Sequence, residues 1–153
     1  MKKKIDFRCS RIKIVVTDVD GVLTDGGIFY SKTGEIMKKF HTRDGMAVEL
    51  LRNNNIKTIF MSRENSQIVK ERAKKINPAL TFFGILNKEK LLGKICKEFK
   101  ITKNEIAYIG DDVNDLEILK RFAKKKYQIS LPVIKKNFEM DFYEWSFDDP
   151  LKI

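Results

Sequence analysis

Residues 12–27 read IKIVVTDVDGVLTDGG, and the reading of this stretch decides the fold. Ile12 to Thr17 form a run rich in β-branched residues, the pattern of a strand buried on both faces. The run breaks off at Asp18-Val19-Asp20-Gly21. If the chain stays extended that far, Asp18 and Asp20 leave on the same side while Val19 turns into the core. Two carboxylates facing one pocket can divide a phosphoryl transfer between them. One attacks phosphorus, and the other carries the proton of the leaving alcohol and then of water. Such a pair alone is a weak signal, and its meaning depends on what the chain places around it.

Working outward, residues 28–30 and 36–41 flank the polar, glycine-containing segment Ser31-Lys32-Thr33-Gly34-Glu35, which predicts a β-hairpin arm with a five-residue turn. From Asp44, read as a helix N-cap, the period changes, and Met46, Ala47, Leu50 and Leu51 form one helical stripe. A second strand is expected over residues 56–61. After Ser62 comes a helix carrying Ile68, Val69, Ala73 and Ile76, then a short strand at 80–83. Residues 88–99 place Leu91, Leu92, Ile95, Cys96 and Phe99 on one helical face, so Cys96 reads as a core residue. Residues 106–109 form another strand, ending in Gly110-Asp111-Asp112. A helix with Leu116, Leu119, Phe122 and Ala123 follows, and then a last strand at 127–131. Strands alternating with helices imply an α/β fold, a three-layer, Rossmann-like parallel sheet with right-handed crossovers. Residues 1–153 read as one domain, with the hairpin arm at about 28–41 and a tail at about 132–153, aromatic and acidic, that has no clear period.

Composition narrows the class. With 42% hydrophobic residues, 8 Gly and 3 Pro, the chain is not of disordered type. The net charge of +10 suits a small anionic substrate and also invites a nucleic-acid reading. The lysines are scattered, however, at 2–4, 38–39, 74–75, 124–126 and 135–136, without interleaved aromatic residues. A dedicated nucleic-acid function is therefore not expected. Cys9 and Cys96 lack a metal-type spacing and suggest no disulfide framework. The apolar stretch at 12–16 is short for a signal peptide, carries Lys13 and runs into Asp18, and no segment is long enough to cross a membrane. A soluble protein of the reducing cytoplasm fits these features.

In an open parallel sheet, ligands bind outside the carboxyl ends of the strands, and three strand ends here carry suitable groups. Asp18 and Asp20 stand at the first. The second brings Ser62, a hydroxyl beside the free amides of a helix start, able either to cradle phosphate oxygens or simply to cap the helix. The strand at 106–109 brings Asp111 and Asp112, with Asp115 one turn on. Clustered acids of this kind suit Mg²⁺, which takes one or two carboxylates, waters and substrate phosphate. Lys88 could neutralise both the acids and the transferring phosphoryl group, or be one more solvated lysine.

Taken in order, Asp18-Val19-Asp20-Gly21-Val22, Ser62, Lys88 and Gly110-Asp111-Asp112-Val113-Asn114-Asp115 resemble the haloacid-dehalogenase superfamily. Within it the chain resembles the capless branch of phosphatases acting on 3-deoxy-manno-octulosonate 8-phosphate and on 2-keto-3-deoxy-nononate (sialic-acid type) 9-phosphate. This resemblance covers about residues 11–123, through DVDGVLTDGGIFYSKTGEIMKKFHTRDG, SRENSQIVKERAKKI, Asn87-Lys88 and IAYIGDDVNDLEILKR. It implies that Asp18 is the nucleophile and Asp20 the general acid and base, with Ser62 and Lys88 holding phosphate. Mg²⁺ would be bound by Asp18, Asp111 and the Asp20 carbonyl, with Asp112 supporting the metal shell and Asp115 positioning Lys88. The resemblance also implies no large cap domain, a homotetramer assembled through the hairpin arms, and a small sugar phosphate as substrate. Arg43, Asp44, Arg63 and Glu64 would line the substrate side. Where relatives commonly carry Gly after the second-motif hydroxyl, this chain has Arg63. Where they end in a Gly-rich segment, it has no glycine after Gly110. Glu64 and Lys75 match the nononate type and Arg43-Asp44-Gly45 the octulosonate type, so both substrates stay open. A reading from another class is a catalytically idle homologue serving as an oligomeric partner of a sugar-nucleotide (cytidylyl) transferase, distinguished by co-purification without turnover.

Overall fold

The computed structural model describes residues 7–122. The expected strand at 127–131 and the tail lie outside the described residues. From residue 14 to residue 122 the described chain holds six strands and four helices, in the order β1 (Ile14–Thr17), β2 (Thr24–Ser31), β3 (Gly34–Phe40), α1 (Thr42–Asn53), β4 (Lys57–Met61), α2 (Gln67–Ile76), β5 (Leu80–Phe82), α3 (Leu92–Phe99), β6 (Ile106–Ile109) and α4 (Leu116–Phe122). Short 3₁₀ turns at Lys88–Leu91, Lys103–Glu105 and Val113–Asp115 join them.

The four central strands are parallel in the order β5-β4-β1-β6, with Val16 opposite Ile59 on one side and Tyr108 on the other. Strand alternation splits the core into two layers of side chains. Ile14, Val16, Ile59, Met61 and Ile106 pack against Leu92 and Ile95 of α3 and Ile118 of α4. On the opposite face Phe60 packs with Val48 of α1 and Val69, Ala73 and Ile76 of α2. The three-layer α/β expectation holds, with α1 and α2 over one face and α3 and α4 over the other. Connections leave β1 first toward β4 and later return to β6, so the order reverses beside β1. A cleft opens at such a reversal, beyond the carboxyl ends of the strands.

The local departures from the sequence reading have physical causes. Helix α1 is capped by His41, whose Nδ1 accepts from the Arg43 amide at 3.1 Å, and Asp44 lies inside the first turn. Of the apolar residues in α1, Val48 is buried, whereas Met46 and Leu50 are exposed, so the anticipated stripe faces away from the sheet. The hairpin turn is two residues long, with Ser31 paired to Gly34. Ser31 Oγ receives the Thr33 amide at 3.2 Å, and Gly34 takes φ +116°, a backbone region open to glycine. Strand β2 starts at Thr24, earlier than expected, where it pairs with Phe40. Cys96 packs against the core, as anticipated.

Candidate active site

Strand β1 ends at Thr17, and the chain then coils back on itself, the amides of Leu23 and Thr24 both donating to the Val19 carbonyl at 2.8 and 3.1 Å. This turn replaces the extended geometry expected through Asp20. Val19 is fully buried beneath it, as alternation required, and Asp20 is paired with Lys38 of β3, its Oδ1 2.6 Å from Nζ. Asp18 is 6% exposed, and its amide donates to the Ile109 carbonyl at 2.9 Å, which pins it beside the end of β6.

Three carboxylates, those of Asp18, Asp111 and Asp115, offer oxygens within 4.8 Å of one another. Lys88, only 1% exposed, bridges two of them, with Nζ 2.9 Å from Asp18 Oδ2 and 2.6 Å from Asp115 Oδ1. Asp115 is wholly buried and fully engaged. Its Oδ1 also accepts from the Tyr108 hydroxyl at 2.5 Å, and its Oδ2 from the amides of Asp111 and Asp112 at 3.2 and 3.4 Å. Asp112 closes a capping box with Asp115, and its side chain accepts from the Val113 amide and the Asn114 amide group, both at 2.6 Å. These contacts make Asp112 and Asp115 the frame of the loop. Asp111 is left with a buried Oδ1 that has no partner among the described residues.

That orphaned oxygen, beside Asp18, meets the requirement of a hard divalent cation for carboxylate donors, so the residues present fit a metal. The electrostatics agree. Burial, together with the charge of Asp115, pushes the Asp18 carboxyl up to about 7 against the pull of Lys88. Asp111 is raised by burial and by Asp115 and Asp112. A cation among them would remove this penalty. Gly21 and Gly110 make the close approach possible: a Cβ on Gly21 would lie 1.8 Å from Asp111 Oδ2, and one on Gly110 2.4 Å from the Asp115 carboxyl carbon.

Ser62 ends β4 and is 1% exposed, its amide donating to the Phe82 carbonyl at 2.9 Å and its Oγ accepting from the Glu64 amide at 3.1 Å. It does not cap α2. Ser66 does, because the chain bends at residues 63–64 before the helix begins. Arg63 is exposed and donates to the Asn114 side chain, which ties the loop after β4 to the loop after β6. Glu64 and Arg43 are exposed and Asp44 is half-buried.

Lys38, Glu35, Ser66 and Tyr108 were not singled out from the sequence. Lys38 lies on β3 with its side chain fully buried, Nζ 2.6 Å from Asp20 Oδ1 and 3.0 Å from Glu35 Oε1. Glu35 Oε2 in turn accepts from the Ser66 hydroxyl. Although burial works against its charge, bonds to Asp20 and Glu35 raise the Lys38 pKa. Glu35 is lowered despite its own burial, through Ser66 and Lys38. The available signal was alternation, since Lys38 shares a strand face with Phe40, which packs on the core.

The chain is 36% identical over 137 residues to the 3-deoxy-D-manno-octulosonate 8-phosphate phosphatase of Haemophilus influenzae, a match covering 90% of this chain and 74% of that protein. Its fold superposes on the cobalt-bound form of the H. influenzae enzyme with a TM-score of 0.71 at 39% identity, covering 74% of this chain and 66% of that one. The Moraxella catarrhalis phosphatase, in complex with magnesium, phosphate and 3-deoxy-D-manno-octulosonate (KDO), superposes with a TM-score of 0.72 at 31% identity, covering 77% of this chain and 68% of that one. The chain thus spans about two thirds to three quarters of the length of these proteins. The family described as haloacid dehalogenase-like hydrolase matches residues 84–125, which contain Lys88, Asp111 and Asp115. At this identity and coverage the chain belongs to the haloacid-dehalogenase-like hydrolases, in the group of the 3-deoxy-D-manno-octulosonate 8-phosphate phosphatases.

Proposed function

We propose that the chain is a Mg²⁺-dependent phosphomonoesterase that removes the terminal phosphate of a keto-deoxy sugar acid, with 3-deoxy-D-manno-octulosonate 8-phosphate as the first candidate. The observation that carries this reading is the buried Lys88 joining Asp18 to Asp115, with the unpaired oxygen of Asp111 alongside. Asp18 is held by main-chain bonds, and one face of its site supplies cationic charge for the phosphoryl group. In the first half-reaction the Asp18 carboxylate attacks phosphorus, the bond from phosphorus to the sugar oxygen breaks, and Asp20 gives that oxygen a proton. In the second, Asp20 takes a proton from water as the water attacks the phosphorylated Asp18, releasing inorganic phosphate and restoring the carboxylate. Asp18, Asp111 and the main-chain carbonyl of Asp20 would hold Mg²⁺, which when bound offsets charge on the phosphoryl oxygens. Lys88 and Ser62 hold the phosphate, Asp115 fixes Lys88, and Asp112 fixes the loop that carries both Asp111 and Asp115.

Arg43, Asp44, Arg63 and Glu64 are proposed to read the sugar acid, and a nononate 9-phosphate is the competing substrate because Glu64 and Lys75 suit it. Exposed Phe29, Tyr30, Ile36 and Met37 on the hairpin support assembly of copies of this chain into a tetramer through the arms. No helix among the described residues is long and apolar enough to cross a membrane. A cytoplasmic enzyme is proposed on that composition and on the two free cysteines. Two lysines of the basic excess, Lys38 and Lys88, are enclosed by carboxylates, which weakens the nucleic-acid alternative.

The test is phosphate release, with and without Mg²⁺, from octulosonate 8-phosphate and nononate 9-phosphates, with Asp18→Asn as the blank. Turnover that needs both Mg²⁺ and Asp18 supports the reading and ranks the substrates. Silence from a folded protein across the panel would favour the idle-partner alternative.

A further inference from the structure

The hairpin does more than present an apolar surface. Its second strand sends Lys38 inward to Asp20, and the contact is directional. An ammonium group only donates, so Asp20 Oδ1, 2.6 Å from Lys38 Nζ, is committed as an acceptor. Asp20 Oδ2 is buried and has no partner among the described residues. Lys38 is itself held from behind by Glu35 at 3.0 Å, and Glu35 by the hydroxyl of Ser66, which caps α2 through the Val69 amide at 3.3 Å. A chain of polar contacts thus runs from the start of α2 across the arm to one oxygen of Asp20.

We propose that Lys38 is a positioning residue for Asp20. By occupying Oδ1 it assigns the transferable proton to Oδ2 and fixes the carboxyl rotamer, and Glu35 and Ser66 hold Lys38 in place. The inference rests on the reading of Asp20 as the proton carrier. In the first half-reaction the proton then leaves Asp20 Oδ2 for the sugar oxygen as the bond from phosphorus to that oxygen breaks. In the second it returns to Oδ2 from water.

The test compares two esters in kcat/KM, which reports the steps through phosphorylation of Asp18. An alkyl phosphate such as octulosonate 8-phosphate needs a proton on its leaving oxygen, whereas p-nitrophenyl phosphate releases a stable phenolate and does not. Lys38→Met is expected to lower kcat/KM for the alkyl ester roughly 10²-fold and for the aryl ester less than about tenfold, the size of effect that proton transfer by a placed side chain provides. Lys38→Arg, which keeps a donor, should restore part of the alkyl activity. Should Lys38→Met fail to fold, Glu35→Gln carries the same comparison, with the alkyl ester again the more affected. Equal losses on both esters, or none, with wild-type turnover intact would overturn the inference alone. Absence of turnover of either ester by the wild type in Mg²⁺ would overturn the proposed function and the inference with it.

Discussion

Replacing Lys88 with Met removes a cation from between two buried carboxylates while roughly keeping the side-chain volume. Asp115 retains the Tyr108 hydroxyl and two main-chain amides, but Asp18 Oδ2 loses its ammonium partner. Breaking a buried ion pair by removing one partner costs about 3–5 kcal/mol, and the donors left on Asp115 place this case near the lower end. A loss of about 3 kcal/mol should lower the Tm of a chain of this size by roughly 6–12 °C. Urea and thermal unfolding of the metal-free protein at about pH 8, where Asp18 is ionised, would measure it. At about pH 5 the Asp18 carboxyl is largely protonated, so the orphaned charge disappears and the deficit should shrink. A loss under about 1 kcal/mol at the higher pH, or a deficit of equal size at both, would refute the view that Lys88 chiefly compensates Asp18.

The pH dependence of the wild type carries its own sign. Since burial and Asp115 raise Asp18 from 3.8 to about 7, the native state binds more protons than the unfolded chain in that window. The contribution of Asp18 therefore makes the metal-free protein less stable as pH rises through it, and Asp18→Asn should remove that slope in urea midpoints taken across the range. By the same linkage, cation binding at neutral pH should release protons, visible in calorimetric titrations run in buffers of different ionisation enthalpy. Gly21→Ala would place a methyl 1.8 Å from Asp111 Oδ2 at φ +86°. The expected cost is about 1–3 kcal/mol, with weakened metal binding in a calorimetric titration. Tyr108→Phe removes a 2.5 Å bond to a buried carboxylate and should destabilise by about 1.5–3 kcal/mol in urea while leaving substrate KM nearly unchanged. If the arms join copies of this chain, Ile36→Asp should shift the mass measured by light scattering toward the monomer, since it places a charge on the exposed apolar strand.

Much of this was legible in sequence because it depends on local periodicity. The β-branched run before Asp18, the helical spacing of Val69, Ala73 and Ile76, and the Gly-Asp-Asp at the end of β6 are each decided within a few residues. Errors fell where a long-range contact outweighed local pattern. Met46 and Leu50 read as part of an apolar stripe, yet Val48 is the residue of α1 that packs with Phe60 on that face of the sheet. Ser62 read as a helix start, yet the Glu64 amide turns back onto its hydroxyl and the helix waits for Ser66.

The sequence by itself determined the order of strands and helices and the chemical inventory of the site: carboxylates at 18, 20, 111, 112 and 115 and a lysine at 88. Tertiary structure alone decided how those charges are shared. Lys88 could have been a solvated lysine, and burial beside Asp18 and Asp115 makes it a bridge. Alternation puts Lys38 and the exposed Lys39 on opposite faces of β3, but the partner of the inward lysine was decided only when the hairpin folded back over the loop after β1 and enclosed it against Asp20. Which lysine is buried depends on strand register and on contacts nearly twenty residues apart, 38 against 20, and no local pattern encodes the low-dielectric surroundings that turn a charge into a partner.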